Sequence, residues 1–181
     1  MMGKTHLAVG IASSFLITQP RTSSQFAIAV IGGALGSVAS DIDVKLDFEN
    51  KFASRYAWDA LGTEIVALMI AFGLLTADFL LHGGISESIL QHRNLSIAGL
   101  AISILFVIWG ERDKMHRGKT HSLLALLISS AGMYLIHPYI GISYAIGFVS
   151  HITCDLLNKS NVQVFYPSKK CDFFNSFFNN I

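Results

Sequence analysis

The chain is 181 residues long, which is about the length of one domain. Hydrophobic residues make up 52% of it and charged residues only 14%, whereas soluble domains carry about a quarter charged residues. Together with a mean hydropathy of +0.52, this composition predicts a single membrane-embedded domain over residues 1–181. The net charge of +1 excludes a nucleic-acid binder that works through bulk charge, and two cysteines cannot form a disulfide framework.

Apolar runs along the chain predict six helices and hence an all-α, polytopic membrane bundle, with about 4–6 transmembrane or half-embedded helices. The runs cover residues 7–17, 26–38, 61–81, 95–109, 122–136 and 139–149, the last continuing to about Leu157. By length, only the third is a comfortable span, at roughly 30 Å. A cleaved signal peptide over residues 1–17 is the rival for the first run, but His6 inside it favours a retained helix.

The basic residues are distributed unevenly over the two sides that six crossings would create. The N-terminus, residues 40–60, residues 110–120 and the chain from residue 158 fall on one side. Eleven of the thirteen basic residues lie there, and only Arg21 and Arg93 lie on the other. The positive-inside rule therefore predicts a multi-pass protein of the inner (cytoplasmic) membrane, with the first side in the cytoplasm.

Residues with metal-ligand chemistry gather on that predicted cytoplasmic side. Four separate regions of the chain supply them: His6, then Asp41 and Asp43, then His116 and His121, and finally His151 and Asp155. Each has an ordinary explanation by itself, as a hydrogen-bonded interfacial histidine or a turn aspartate. Their occurrence at one membrane face favours a functional site, because ionisable residues at a membrane are costly and commonly functional.

Local spacing adds to this prediction. His151 and Asp155 are four residues apart and so share one face of a helix. An extended Asp41-Ile42-Asp43 segment would direct two carboxylates the same way. We further expect Thr120 to cap the helix that follows it, Asp59 to be a solvated loop charge, and Glu64 and Asp78 to lie near the two ends of the third helix.

Motifs in chain order resemble a known family. They are Gly3-x-x-His6, Ser40-Asp-Ile-Asp43, His116-Arg-Gly-Lys-Thr-His-Ser122, Gly147-Phe-Val-Ser-His-Ile-Thr-Cys-Asp155 and Tyr166-Pro167. This set resembles the YdjM-like family of membrane-bound, metal-dependent hydrolases. The resemblance implies a polar site made of His6, Asp41, Asp43, His116, Arg117, Thr120, His121, Ser122, His151 and Asp155.

The donor set suggests a mechanism. Four histidines and three aspartates suit a divalent ion, with Zn²⁺ preferred and Mn²⁺ or Fe²⁺ possible, and seven ligands allow one ion or two. The expected activity is hydrolysis of an ester or phosphoester by a metal-activated water. Asp43 or Asp155 would orient that water, Arg117 would neutralise phosphoryl charge, and Thr120 and Ser122 would hydrogen-bond substrate or imidazoles.

Membrane lipids are the expected partners, because the site falls where a lipid head group would lie; the oligomeric state stays open. Two other classes of protein are also compatible with these residues. One is a divalent-metal transporter or sensor, and the other is a non-catalytic membrane protein with a structural metal. The clustering of the ligands at one end, with no matching set along a path, favours the hydrolase over the transporter.

Overall fold

The computed structural model describes residues 3–44, 51–112, 119–158 and 162–166, with the backbone alone for residues 43 and 51–56. This part of the chain is all-helical and contains no strand, which confirms the fold class predicted from the apolar runs. The α-helices are α1 (Gly3–Thr18), α2 (Ser23–Val38), α3 (Lys51–Leu80), α4 (Gly84–Gln91), α5 (Arg93–Glu111), α6 (Leu123–Ile136) and α7 (Pro138–Leu157). Two short 3-10 helices, Ala39–Asp43 and Lys119–His121, flank the long helices.

The prediction of six helices is wrong, because the described residues contain a seventh, the short helix α4 between the third and fourth apolar runs. The prediction of a single comfortable span is also wrong. Within the described residues, four segments are long and apolar enough to cross a membrane, namely Ser23–Ile42, Ala57–Leu80, Arg93–Glu111 and Pro138–Leu157. The apolar runs underestimated the lengths of these helices, because polar residues near the helix ends continue the helical backbone.

Helix α2 lies at the centre of the bundle, packed against α1, α3 and α7. Its glycines make the close approaches possible. Gly33 is in contact with Gly10 of α1 and with Gly147 of α7, and Gly36 lies against the Tyr144 backbone. In a membrane, where burying apolar surface between helices gains little, small residues that let backbones approach are the main source of helix association.

The N-terminus of α1 is tied to the side of α3. The backbone N–H of Gly3 donates to Asp59 Oδ2 at 2.7 Å, and Thr63 packs against the same glycine. A carboxylate at a helix N-terminus is favourable because it meets unpaired N–H groups and the positive end of the helix dipole. Asp59 was expected to be a solvated loop charge, and that prediction is wrong: α3 begins at Lys51, so Asp59 is helical and anchors α1.

Asp78 has a structural role at the opposite end of the bundle. Its Oδ2 accepts hydrogen bonds from the backbone N–H and the hydroxyl of Ser86, both at 2.7 Å, and so caps α4. His137, which precedes α7, is buried, and burial lowers its pKa while the Asp78 carboxylate opposes that shift. The arrangement explains why α3 tolerates a carboxylate near the end of its span.

Close packing at Gly36 yields a testable prediction. A Cβ at this position would overlap the carbonyl oxygen of Tyr144, so Gly36→Ala forces α2 and α7 apart and costs about 1–3 kcal/mol of stability. A Cβ at Gly73 of α3 meets nothing within 4 Å. We expect Gly73→Ala to leave the unfolding temperature unchanged or raised, because alanine favours helix by up to about 1 kcal/mol. Equal thermal unfolding of the two variants in detergent would contradict this account of the α2–α7 contact.

Candidate metal centre

Four elements distant in sequence bring polar side chains together at one end of the bundle. His6 lies in the first turns of α1, Asp41 in the 3-10 helix that follows α2, and His121 at the end of the 3-10 helix that precedes α6. His151 and Asp155 lie near the end of α7. The beginnings of α1 and α6 therefore meet the ends of α2 and α7.

The imidazole Nε2 atoms converge on two carboxylates. His121 Nε2 lies 3.7 Å from Asp41 Oδ1 and 3.5 Å from Asp155 Oδ2. His151 Nε2 lies 3.6 Å and 3.8 Å from the same two oxygen atoms. His6 Nε2 lies 3.6 Å from Asp155 Oδ1. The carboxylate of Asp155 is thus shared, with one oxygen near two histidines and the other near the third.

These separations suit metal ligands better than direct hydrogen bonds. A nitrogen–oxygen hydrogen bond is about 2.7–3.2 Å long. Two ligands about 2.1 Å from a tetrahedral ion lie roughly 3.4 Å from each other. The observed 3.5–3.8 Å is close to that value. Two groups have ligand atoms within 4.8 Å of one another, His6 with His151 and Asp155, and Asp41 with His121 and His151.

The cluster is buried. None of its five residues is more than 3% exposed. Within the described part of the chain, both ring nitrogens of His6 and the Nε2 of His151 have no hydrogen-bond partner. Such atoms are rare in folded proteins and call for an explanation, of which a bound ion is one. The rings of His6 and His151 stack with their centroids 4.0 Å apart, which keeps the ring nitrogens of the two histidines close together.

Neighbouring groups orient two of the imidazoles. His151 Nδ1 is 2.5 Å from the backbone oxygen of Ser37, so this nitrogen carries the proton and leaves Nε2 free to bind a metal. His121 Nδ1 lies 3.2 Å from the hydroxyl oxygen of Thr120, which can fix the same tautomer. Metal-binding histidines commonly donate their second ring nitrogen in this way.

Several sequence-predicted site residues lie outside this description. His116 and Arg117 are not among the described residues, and neither is the side chain of Asp43. Residues 39–43 form a 3-10 helix, so the condition of an extended Asp41-Ile42-Asp43 segment is not met. Ile42 packs against Gly110 at the end of α5, which fixes the segment that carries Asp41.

The helix cap in the His116–Ser122 motif is Ser122, and the prediction of Thr120 as the cap is wrong. Ser122 Oγ accepts from the N–H of Ala125 at 3.1 Å and donates to the carbonyl of Lys119 at 2.6 Å. Both bonds of Ser122 are to backbone groups of the same segment, so this side chain stabilises the start of α6. The Thr120 hydroxyl instead contacts the His121 ring. Sequence reasoning missed the Ser37 carbonyl, because any residue type could supply a backbone oxygen.

The division of roles between Thr120 and Ser122 can be tested by two matched variants. Thr120→Val removes the hydroxyl beside His121 with little change of shape, and we expect it to weaken metal affinity roughly 10–100-fold. Ser122→Ala removes a helix cap and should cost about 1 kcal/mol of stability with metal affinity kept within a few-fold. Metal titration and thermal unfolding of both variants give the comparison. The same loss of affinity in both would contradict the assignment.

Comparison with known proteins identifies the family. No curated protein and no solved structure shows significant similarity to this chain. A family model, described as YdjM inner membrane protein, matches residues 1–181, which is the whole chain. The four membrane-span candidates agree with that description. The chain therefore belongs to the YdjM family of inner membrane proteins.

Proposed function

We propose that this protein is a membrane-bound, metal-dependent hydrolase that acts on an ester or phosphoester of a lipid or lipid-linked substrate. The observation that carries the proposal is the set of histidine-to-carboxylate separations of 3.5–3.8 Å in a fully buried cluster. A cluster that was merely structural would be expected to close into direct hydrogen bonds.

Burial supports the presence of a cation. Asp41 and Asp155 are both at most 3% exposed. A buried carboxylate is unfavourable by several kcal/mol unless it is paired or coordinates a metal. With two carboxylates and three imidazoles converging, a divalent ion offers the compensation that neutral histidines cannot. Nitrogen and oxygen donors together suit Zn²⁺, with Mn²⁺ or Fe²⁺ as the other candidates.

The five residues of the cluster could bind one ion or two. Asp41, His121, His151 and Asp155 Oδ2 would hold one ion, and His6 with Asp155 Oδ1 would hold a second or complete the first. When bound by these residues, a divalent ion would supply a water of lowered pKa and a Lewis acid for the substrate oxygen.

Residues of the sequence motifs are proposed for the remaining roles. Asp43, or Asp155 in a one-ion site where its Oδ1 is not a ligand, would orient the attacking water and accept its proton while the water oxygen bonds to the carbonyl carbon or phosphorus. The ester bond then breaks, and the leaving oxygen takes up a proton. Arg117 neutralises charge on a phosphoryl oxygen, since its planar guanidinium matches that geometry. Thr120 keeps His121 in the tautomer that binds metal.

Position in the membrane supports the substrate class. The cluster lies at the ends of helices that are long enough to span, so it lies near the level of lipid head groups. The excess of basic residues on the same side favours the cytoplasmic face. An ester or phosphoester of a membrane lipid reaches such a site by lateral diffusion, without leaving the bilayer.

Hydrolysis of phospholipids by purified protein tests the proposal. Protein in nanodiscs, stripped of metal and resupplied with Zn²⁺, Mn²⁺ or Fe²⁺, should release water-soluble or lysolipid product, and a chelator should stop it. Asp155→Asn keeps the shape of the side chain and removes its charge, and we expect it to abolish turnover. His92→Ala is the matched control, because His92 is an exposed histidine at the opposite end of the bundle.

The same experiment distinguishes a hydrolase from a metal transporter and from a protein with a structural metal. A folded, metal-loaded protein without turnover on any lipid would overturn the hydrolase proposal. Metal-dependent accumulation in sealed vesicles by that protein would indicate a transporter. Loss of folding on metal removal, again without turnover, would indicate a structural ion.

A further inference from the structure

A groove runs beside the metal centre, between two membrane-spanning helices. α3 packs on α2 and α5 packs on α6, and the space left between them measures about 360 Å³. This volume falls within the range of about 300–1,000 Å³ typical of ligand pockets. Residues from six elements line it, among them Val38, Ile42, Leu68, Val107, Met133 and Tyr144.

The groove and the metal centre share a wall. Along the 3-10 helix and the end of α2, Val38 and Ile42 face the groove, whereas Asp41 faces the histidines and the Ser37 carbonyl binds His151. A molecule lying in the groove therefore has one end against the segment that carries a metal-ligand aspartate. This continuity joins the groove to the candidate site.

The long part of the groove offers nothing to water. Ser103 donates to the Gly99 carbonyl at 2.9 Å, and Ser129 donates to the Ala125 carbonyl at 2.7 Å. Both serine hydroxyls use their one donor within the protein, so they leave few polar partners for a buried water, which needs two to four. Hydrocarbon is the occupant that such a lining fits.

The mouth of the groove faces the bilayer. Leu68 of α3 is 60% exposed and Val107 of α5 is 40% exposed, and both belong to candidate spans. Charge is confined to the end nearest the metal centre, where the groove is lined by Glu64 and Glu111. Along α5 the lining extends from Ser103 to Glu111, about 12 Å of helix. The lining is thus apolar along most of its length, with two acidic side chains at one end.

We propose that this groove binds one acyl chain of a phospholipid and presents its head group to the metal centre. The inference deepens the proposed function by giving the substrate a binding site, and it rests on that function for the chemistry at the head group. Because lipid chains surround the mouth in the membrane, the groove fills by lateral entry between α3 and α5. Selectivity for the substrate then depends on chain length as well as on the head group.

Photolabelling tests the proposal without requiring turnover. The probe is phosphatidylethanolamine with a diazirine in one acyl chain, mixed into nanodiscs of phosphatidylethanolamine and phosphatidylglycerol. After illumination, peptide mapping should find adducts on Met133 and Tyr144 in the inner wall, in addition to adducts on outward-facing residues such as Leu105. Adducts confined to outward-facing residues would overturn the proposal.

Two variants of α5 supply the control. Val107→Trp fills the groove and should abolish labelling of Met133 and Tyr144. Leu105→Trp changes a residue that is 65% exposed and does not line the groove, so labelling of the inner wall should persist. Thermal unfolding of both variants reports on folding. Inner-wall adducts that survive Val107→Trp in a folded protein would contradict binding in the groove.

The metal-stripped protein distinguishes this proposal from the one on which it rests. Groove labelling requires no ion, so it should be the same in apo and metal-loaded protein. Labelling without metal-dependent turnover supports the groove and overturns the hydrolase. Turnover without inner-wall labelling overturns the groove and leaves the hydrolase standing.

Discussion

The structure depends on the burial of two carboxylates and three imidazoles at one end of a membrane bundle. Asp41 and Asp155 are the costly members, because a carboxylate removed from water is unfavourable unless a cation or good hydrogen bonds replace its hydration. Each histidine ring that approaches them does so through Nε2. An ion held between these groups would turn mutual repulsion of the carboxylates into a shared attraction and would link the ends of α1, α2, α6 and α7.

The packing of the bundle makes this convergence possible. Glycines on α2 allow α1 and α7 to approach its backbone on two sides, so His6 and His151 come close enough to stack. Asp59 holds the first turn of α1 against α3, and Ile42 holds the Asp41 segment against the end of α5. The polar cluster is therefore positioned by apolar and backbone contacts that are independent of any ion.

The sequence indicated some of these features and hid others, for physical reasons. The spacing of His151 and Asp155 indicates a shared helix face because helical periodicity is local, and the positions of the histidines relative to apolar runs indicated which helix ends they share. The extra helix α4 and the early start of α3 were missed because both lie in polar stretches that hydropathy alone assigns to loops. The role of Asp78 as a cap for α4 depends on a contact eight residues along the chain, which no local pattern reveals.

Elemental analysis of metal in the detergent-purified protein tests the central claim most directly. The wild type should carry one or two equivalents of Zn, Mn or Fe after metal supplementation. His121→Ala and Asp155→Ala should lose that metal while remaining folded, and His92→Ala should keep it. A well-folded, metal-supplemented wild type without bound metal would contradict the account and leave the buried carboxylates without their proposed counter-ion.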